Sequence, residues 1–419
     1  MSDRSHDQSI AELEALLDVT MQMGRTIELR PTLQAIEQAA LRVLACERAS
    51  VFIYDRPRDE LVSKVATGVD ELRFSAQRGI CGEVARTEQT INVPDAYADQ
   101  RFNPDVDRQT GFRTRNMLTF PLKGFDGQLV GVLQVLNKID GAFTAHDERL
   151  AEVFSAQAGV ALQRQLLLDE HQVKQKLEHD LEIARRIQQE LLPSEAPDVS
   201  GFEIAGWNRP ADQTGGDCYD FYPLADGRLA ITIADATGHG IGPALVVSEC
   251  RALLRAFAST IAHPQEIVRR ANVLLSEDMT EGRFVTAFFG LLAPGAHRIV
   301  YTSAGHGPLL WWNAADQTAT LSDATDLPLG VLPEMDCQFQ EGSFAPGDML
   351  VVLTDGFFEW ARPDGELFGM DRVVEHLRAH QTAPPADLIT SLHAAVLDFA
   401  QGTPQADDLT AIAIRRSAG

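Results

Sequence analysis

The chain is poor in positive charge. Against 60 Asp and Glu it sets 36 Lys and Arg, a formal net charge of −24 at pH 7. No Lys/Arg run offsets this locally, so a nucleic acid would be repelled and no nucleic-acid partner is expected. Cysteine is also scarce. Cys46, Cys81, Cys218, Cys250 and Cys337 are widely spaced, and none belongs to a CxxC pair. An odd number without a pairing pattern excludes a disulfide framework, gives no support to zinc, and fits reduced thiols in a cytoplasmic protein. No apolar run approaches the roughly 18–20 residues of a membrane span. The polar start Met1-Ser2-Asp3-Arg4 does not read as a signal peptide. A cytoplasmic location without a membrane partner is therefore expected.

What the chain does have is length and apolar content: 419 residues, 45% hydrophobic, enough for two or three domains. Apolar spacing predicts helices over 8–30 and 32–45. Alternating residues predict a hairpin from Ala49-Ser50-Val51-Phe52-Ile53-Tyr54 to Glu60-Leu61-Val62-Ser63-Lys64-Val65, turning at 56–59. Two further strands read at 118–122 and 131–137, and a helix at about 146–165. This is an α/β module of sensor size. From 150 to 192 there is no proline, and Gly159 is the one glycine. Leu166, Val173, Leu177, Leu181, Ala184, Ile187 and Leu191 follow helical spacing along a narrow seam. That favours a partner helix, and hence a homodimer through a coiled-coil linker. Residues 200–416 hold strand candidates at 202–207, 229–235, 284–292, 298–303, 309–312, 349–354 and 409–415. Helices are expected from about Pro243 to Ser259 and near 264–278, 370–380 and 385–400. Many strands with few helices between them point to a layered sandwich.

Acidic residues punctuate this second half. Asp217 lies in Gly215-Gly216-Asp217-Cys218-Tyr219-Asp220-Phe221. Asp235 ends an apolar run and is followed by Ala236-Thr237-Gly238-His239-Gly240. Asp355 ends Met349-Leu350-Val351-Val352-Leu353-Thr354, and Asp407-Asp408 precede Leu409-Thr410-Ala411-Ile412. Any one Asp can serve merely as a turn or a cap. As a set, they can aim carboxylates into one cleft. Gathered carboxylates repel unless cations neutralise them, and hard divalent ions take such oxygen ligands. A metal-dependent hydrolase is expected.

These motifs, with Ser303-Ala304-Gly305-His306-Gly307-Pro308 and Glu182-Ile183-Ala184-Arg185-Arg186-Ile187-Gln188-Gln189-Glu190-Leu191-Leu192-Pro193, resemble the SpoIIE/RsbU branch of the metal-dependent (type 2C, PPM) serine/threonine protein phosphatases. The resemblance implies an α-β-β-α sandwich over 196–416 with two Mn²⁺ or Mg²⁺ ions. Asp235 would bridge the ions, the Ala236 carbonyl would join one, and Asp217, Asp355 and Asp407 would complete the set. Asp407 matches the ligand position better than Asp408. The implied reaction is direct in-line hydrolysis by a metal-activated water, without a phospho-enzyme. Cys218 and Ser303 depart from the usual residues, aromatic and Asn, at their positions. His239 and His306 are read as loop or structural contacts, with an acid role for His239 as the competing reading. The implied substrate is a phosphorylated STAS-type anti-sigma-factor antagonist.

Gly79-Ile80-Cys81-Gly82-Glu83-Val84-Ala85, the 92–116 segment and Asn137-Lys138…Phe143…Asp147-Glu148 resemble a GAF domain of the cyclic-nucleotide-binding type, over 12–165. A helical linker over 166–195 would then join a GAF sensor with an antiparallel sheet to the phosphatase, an α/β (α+β) architecture. By this resemblance Lys138 and Asp147 form a structural salt bridge, and Ile80, Cys81, Asp107, Thr110 and Thr114 contact a cyclic nucleotide, cGMP or cAMP. Competing readings are a GAF domain that only dimerises, a catalytically inactive scaffold, and a cyclic-nucleotide phosphodiesterase, which would need His/Asp metal motifs.

Overall fold

A computed structural model describes residues 28–63, 72–279 and 282–418. The helix expected over 8–30 falls almost wholly outside them. The chain divides into two compact units, Met1–Lys176 and Leu177–Gly419.

In the first unit, helix α1 (Leu29–Val43) leads into β1 (Cys46–Asp55) and β2 (Glu60–Ser63). The expected hairpin is present, with Ile53 opposite Val62. Next come β3 (Leu72–Ser75), α2 (Gly79–Thr87), β4 (Ile91–Val93), α3 (Asp105–Thr110), β5 (Met117–Lys123) and β6 (Leu129–Lys138). The sheet order is β3-β2-β1-β6-β5-β4, antiparallel at every pairing. Alternation assigns its two faces. Leu118, Phe120, Leu122, Leu133 and Val135 pack with Leu33 and Ile36 of α1 and with Phe154 and Leu162. On the other face, Phe52 and Val132 pack with Cys81 and Val84 of α2.

Phe154 and Leu162 belong to α4 (Ala145–Leu191), 47 residues long. The sequence suggested a helix to 165 and then a separate linker. The structure runs them together, because nothing between 150 and 192 breaks a helix. Gly159 is a packing residue. A Cβ there would strike the backbone of Lys123, so glycine lets the helix lie directly on the strand.

The second unit begins within α4. It continues through β7 (Phe202–Arg209), β8 (Asp217–Pro223), β9 (Leu229–Ala236), α5 (Ile241–Thr260), α6 (Pro264–Asp278), β10 (Val285–Ala293), β11 (Arg298–Ala304), β12 (Leu309–Asn313), β13 (Thr318–Ser322), β14 (Gln340–Ser343) and β15 (Met349–Leu353). It ends with α7 (Gly356–Glu359), α8 (Gly369–Ala379), α9 (Pro385–Ala400) and β16 (Leu409–Arg416). Two antiparallel sheets result, β14-β11-β10-β9-β8 and β13-β12-β15-β16-β7. Ala230, Ala234 and Phe289 bury against Val247 and Leu254 of α5 and Ile267 of α6. Val351, Leu353 and Ala411 bury against Leu377 of α8 and Leu392 and Val396 of α9. Between the sheets, Ile231, Ile233 and Phe288 meet Val352, Ile412 and Ile414. Strands buried on both faces read as continuous apolar runs, which is why β9, β15 and β16 stand out in the sequence. This is the expected α-β-β-α sandwich.

Strands β8, β13 and β14 were not among those expected. The first is masked by polar residues: Asp220 is buried, with its carboxylate 3.3 Å from both Arg251 and Arg255 of α5.

Candidate active site

The carboxylates meet at one end of the sandwich. Asp217 starts β8 and lies directly opposite Asp235, near the end of β9. Both share the strand parity of residues that face the opposite sheet (Tyr219 and Phe221; Ile231 and Ile233). Thr410 of β16 and Thr354, which follows β15, reach across from that sheet. Each hydroxyl donates to Asp217 Oδ2, at 2.6 and 2.8 Å. Asp355 comes next in the chain, where β15 turns into α7.

The two neighbouring aspartates at 407 and 408 have different jobs. Asp408 is buried. Its Oδ1 accepts from Ala211 N–H at 2.7 Å and its Oδ2 from Gly216 N–H at 2.5 Å, so it fastens the turn that carries Asp217. Asp407 is exposed, and its charge acts on Asp235 and Asp355. The Gly-Gly-Asp motif has a steric cause. A Cβ on Gly216 would sit 2.7 Å from the Ala236 carbonyl oxygen and 2.9 Å from that of Gly238. Only glycine lets the two turns close on each other.

The electrostatics are those of a cluster short of cations. Burial, then the charges of Asp355, Asp407 and Asp408, push Asp235 up to about 7. Burial, then Asp407 and Glu359, push Asp355 up to about 6. Asp217 is raised by burial first and by Asp235 and Asp408 next, against the pull of the two threonines. None of the five pairs with Lys or Arg among the described residues. As they stand, no three His, Cys or acidic side chains among the described residues are placed to grip an ion. Bare like charges do not draw together. The donor set itself, all carboxylate and carbonyl oxygen, suits Mg²⁺ or Mn²⁺.

The histidines take separate places. His306 is buried, with Nδ1 3.1 Å from Thr286 Oγ1, and burial pushes it down to about 4, a neutral structural residue. His239 is exposed, with Nδ1 2.7 Å from Asp212 Oδ2. His376 and His380, four apart on α8, stack at 4.2 Å. Their nitrogens face Ser391 and a backbone carbonyl, not the carboxylates. Gln188, near the end of α4, was not singled out by sequence reasoning. Its Nε2 donates to Gly215 O at 2.6 Å and its Oε1 accepts from Gly215 N–H at 3.0 Å.

In the first unit, Lys138 Nζ lies 2.7 Å from Asp147 Oδ1 and donates to Leu44 O. The salt bridge expected from the sequence is there. The candidate ligand residues are spread out. Ile80 packs with Val93 and Met117, whereas Cys81 packs with Phe52 and Val132. Asp107 is buried and accepts from Thr114 N–H at 2.7 Å, Thr114 Oγ1 at 2.8 Å and Tyr97 Oη at 3.0 Å. Thr110 is the last residue of α3. Between the two apolar patches a polar row crosses the sheet: Ser50, Gln134 and Thr119 are register partners. Gln134 Nε2 donates to Thr119 Oγ1 at 3.1 Å. Polar residues at inward positions of two apolar strands were the available signal.

Comparison with known proteins matches residues 225–417 to the family "Stage II sporulation protein E (SpoIIE)" and residues 28–162 to "GAF domain". The chain belongs to the GAF-linked SpoIIE-type phosphatases. It is 28% identical over 251 residues to "Phosphoserine phosphatase RsbU" of Bacillus subtilis, covering 59% of this chain and 74% of that one. It is 30% identical over 181 residues to "Probable 3',5'-cyclic phosphodiesterase pde-5" of Caenorhabditis elegans, covering 39% of this chain and 25% of the relative. The solved "SiaA-PP2C domain of Pseudomonas aeruginosa" superposes with TM-score 0.51 at 22% identity, over 58% of this chain and 97% of that one, and supports the fold. Together these make the protein a serine/threonine phosphatase with a GAF domain. No helix among the described residues is long and apolar enough to cross a membrane.

Proposed function

We propose that the C-terminal unit hydrolyses phosphoserine or phosphothreonine of a partner protein, with two Mn²⁺ or Mg²⁺ ions held by Asp217, Asp235, Asp355, Asp407 and the Ala236 carbonyl. One observation carries this reading: two buried carboxylates, Asp217 and Asp235, face each other with no cation beside them. When bound, the ions supply an activated water and screen the phosphoryl oxygens. The chain's own residues set the frame. Thr354 and Thr410 fix Asp217, and Asp408 holds the turn beneath it. Every acidic position is filled, which weighs against an inactive scaffold. The substrate we favour is a phosphorylated STAS-type anti-sigma-factor antagonist, in keeping with the likeness to a phosphoserine phosphatase.

The GAF domain is proposed to bind a cyclic nucleotide, cGMP or cAMP. The row of Ser50, Thr119 and Gln134 offers hydrogen bonds to a purine edge beside the apolar residues Ile80 and Cys81, with Asp107, Thr110 and Thr114 in the segment opposite. Exposed Val173, Leu177, Ile187 and Leu191 along α4 support a homodimer through that helix. Ligand binding would then shift helix packing and so tune the carboxylate site.

The test is p-nitrophenyl phosphate hydrolysis by the purified chain with Mn²⁺ and with EDTA, before and after adding cyclic nucleotide. Turnover only with Mn²⁺ is expected. Metal-independent turnover would overturn the assignment.

A further inference from the structure

Two turns border the carboxylate cluster, and each is tied to it. The 237–240 turn follows Asp235 and packs over Gly216 through the Gly238 carbonyl. Residues 211–216 are pinned at Ala211 and Gly216 by Asp408. One side-chain contact joins these turns: His239 Nδ1 stands 2.7 Å from Asp212 Oδ2. The carboxylate can only accept when ionised, so Nδ1 carries the proton and the ring is held with Nε2 pointing away from Asp212. His239 keeps 68% of its side-chain surface exposed and Asp212 56%. An exposed pair contributes at most about 1 kcal/mol to stability. Its main consequence is therefore orientation: a ring fixed at the mouth of the site, with one nitrogen free toward incoming substrate.

We propose that His239 is a catalytic acid and Asp212 its positioning residue. This rests on the phosphatase reading above. As water oxygen bonds to phosphorus, the P–O bond to the Ser or Thr side chain breaks, and its electron pair goes to the leaving oxygen. His239 Nε2 gives its proton to that oxygen, so an alcohol departs rather than an alkoxide. The water's own proton stays on the phosphate product, and His239 is reprotonated from solvent. A serine alkoxide needs that proton far more than a nitrophenolate does.

The experiment compares kcat/KM for p-nitrophenyl phosphate and for phenyl phosphate, using the full chain with Mn²⁺, in wild type, His239→Ala and Asp212→Asn. Mn²⁺ affinity by calorimetry is measured alongside. For His239→Ala we expect a fall of about 10²-fold on phenyl phosphate but only a few-fold on p-nitrophenyl phosphate. Asp212→Asn should show the same selectivity at smaller size, and Mn²⁺ affinity should hold in both. Equal losses on the two esters, or weakened Mn²⁺ binding, would make the pair a staple between turns and overturn the proposal. Selective loss in neither variant would overturn it too. If wild type hydrolyses neither ester, the phosphatase reading itself fails and takes this inference with it.

Discussion

Each unit buries aspartates at the end of a sheet, and burial alone raises a carboxylate's pKa. The outcomes are opposite. Asp147 in the first unit feels that push, but Lys138 at 2.7 Å and the N–H and hydroxyl of Thr144 overcome it and hold it below the usual carboxylate range. Asp235 and Asp355 in the second unit have only other carboxylates for company and rise to about 7 and about 6. The same residue type is thus a finished structural part in one place and an unfinished electrostatic one in the other. The missing positive charge, rather than burial, marks the site that needs metal ions.

The sharpest way to break the contrast is Asp235→Asn. It removes the central carboxylate, and Mn²⁺-dependent hydrolysis of p-nitrophenyl phosphate should fall by on the order of 10³-fold, at least the loss typical of removing one strong electrostatic stabiliser. With metal removed by EDTA, the same variant should raise thermal stability, because one member of a repelling set is gone. All four tryptophans (207, 311, 312 and 360) lie in the second unit, so their fluorescence reports this transition. Homodimerisation, followed by ultracentrifugation, should not change. Wild-type activity in the variant would sink the metal assignment.

The mirror experiment is Lys138→Ala. It strands Asp147 with its burial and without its cation. Losing one partner of a buried pair costs about 3–5 kcal/mol, read here as faster hydrogen exchange in β6 and the start of α4. Adding Asp147→Asn should restore much of that protection. The tryptophan-reported transition should move far less.

The pH dependence should also split. The depressed pKa of Asp147 contributes stability present above its unfolded value and lost as pH falls through the folded one, so the first unit weakens in acid. Asp235 and Asp355 are raised. In the EDTA-treated protein their protonated forms stabilise the second unit below about pH 4, and that contribution is lost as pH rises through about 6 to 7. Saturating Mn²⁺ should cancel this loss, by about 2.7 kcal/mol at a hundredfold excess over Kd. A second unit whose metal-free stability rises from pH 4 to 7 would contradict the burial and repulsion argument.

How much of this could be read beforehand depends on whether the cause was local. Strands buried on both faces announced themselves as apolar runs, and Asp235 and Asp355 stood at their ends. The distinction between Asp407 and Asp408 was visible only as a motif match. Its physical cause, Asp408 accepting from Ala211 and Gly216, joins residues almost 200 positions apart. Strand β8 was missed because Asp217 and Asp220 interrupt its pattern. Asp220 is tolerated inside only because Arg251 and Arg255 of α5 approach it, and no local reading supplies those partners. Asp212 was passed over for the same reason: its meaning comes entirely from His239 in another turn. Gly159 looked like an irregularity in a helix, when it is the point where that helix touches Lys123.

Gln188 is the smallest of the expected effects and the most informative about control. It lies near the end of α4 and meets both backbone polar groups of Gly215, two residues before Asp217. Gln188→Ala removes two hydrogen bonds, each worth about 0.5–1.5 kcal/mol, and frees the turn from one of its two fastenings, the other being Asp408. The expected result is a few-fold loss of Mn²⁺ affinity and of p-nitrophenyl phosphate turnover. Gln188→Glu, which still accepts from Gly215 N–H but repels its carbonyl, should fall further on turnover than on stability. If both variants lower the melting temperature while Mn²⁺ affinity stays at the wild-type value, the helix end only braces the fold. If affinity and turnover fall together at little cost in stability, the position of this helix sets how well Asp217 is presented to metal. The carboxylate cluster would then have a mechanical input that the Lys138–Asp147 pair, complete in itself, has no use for.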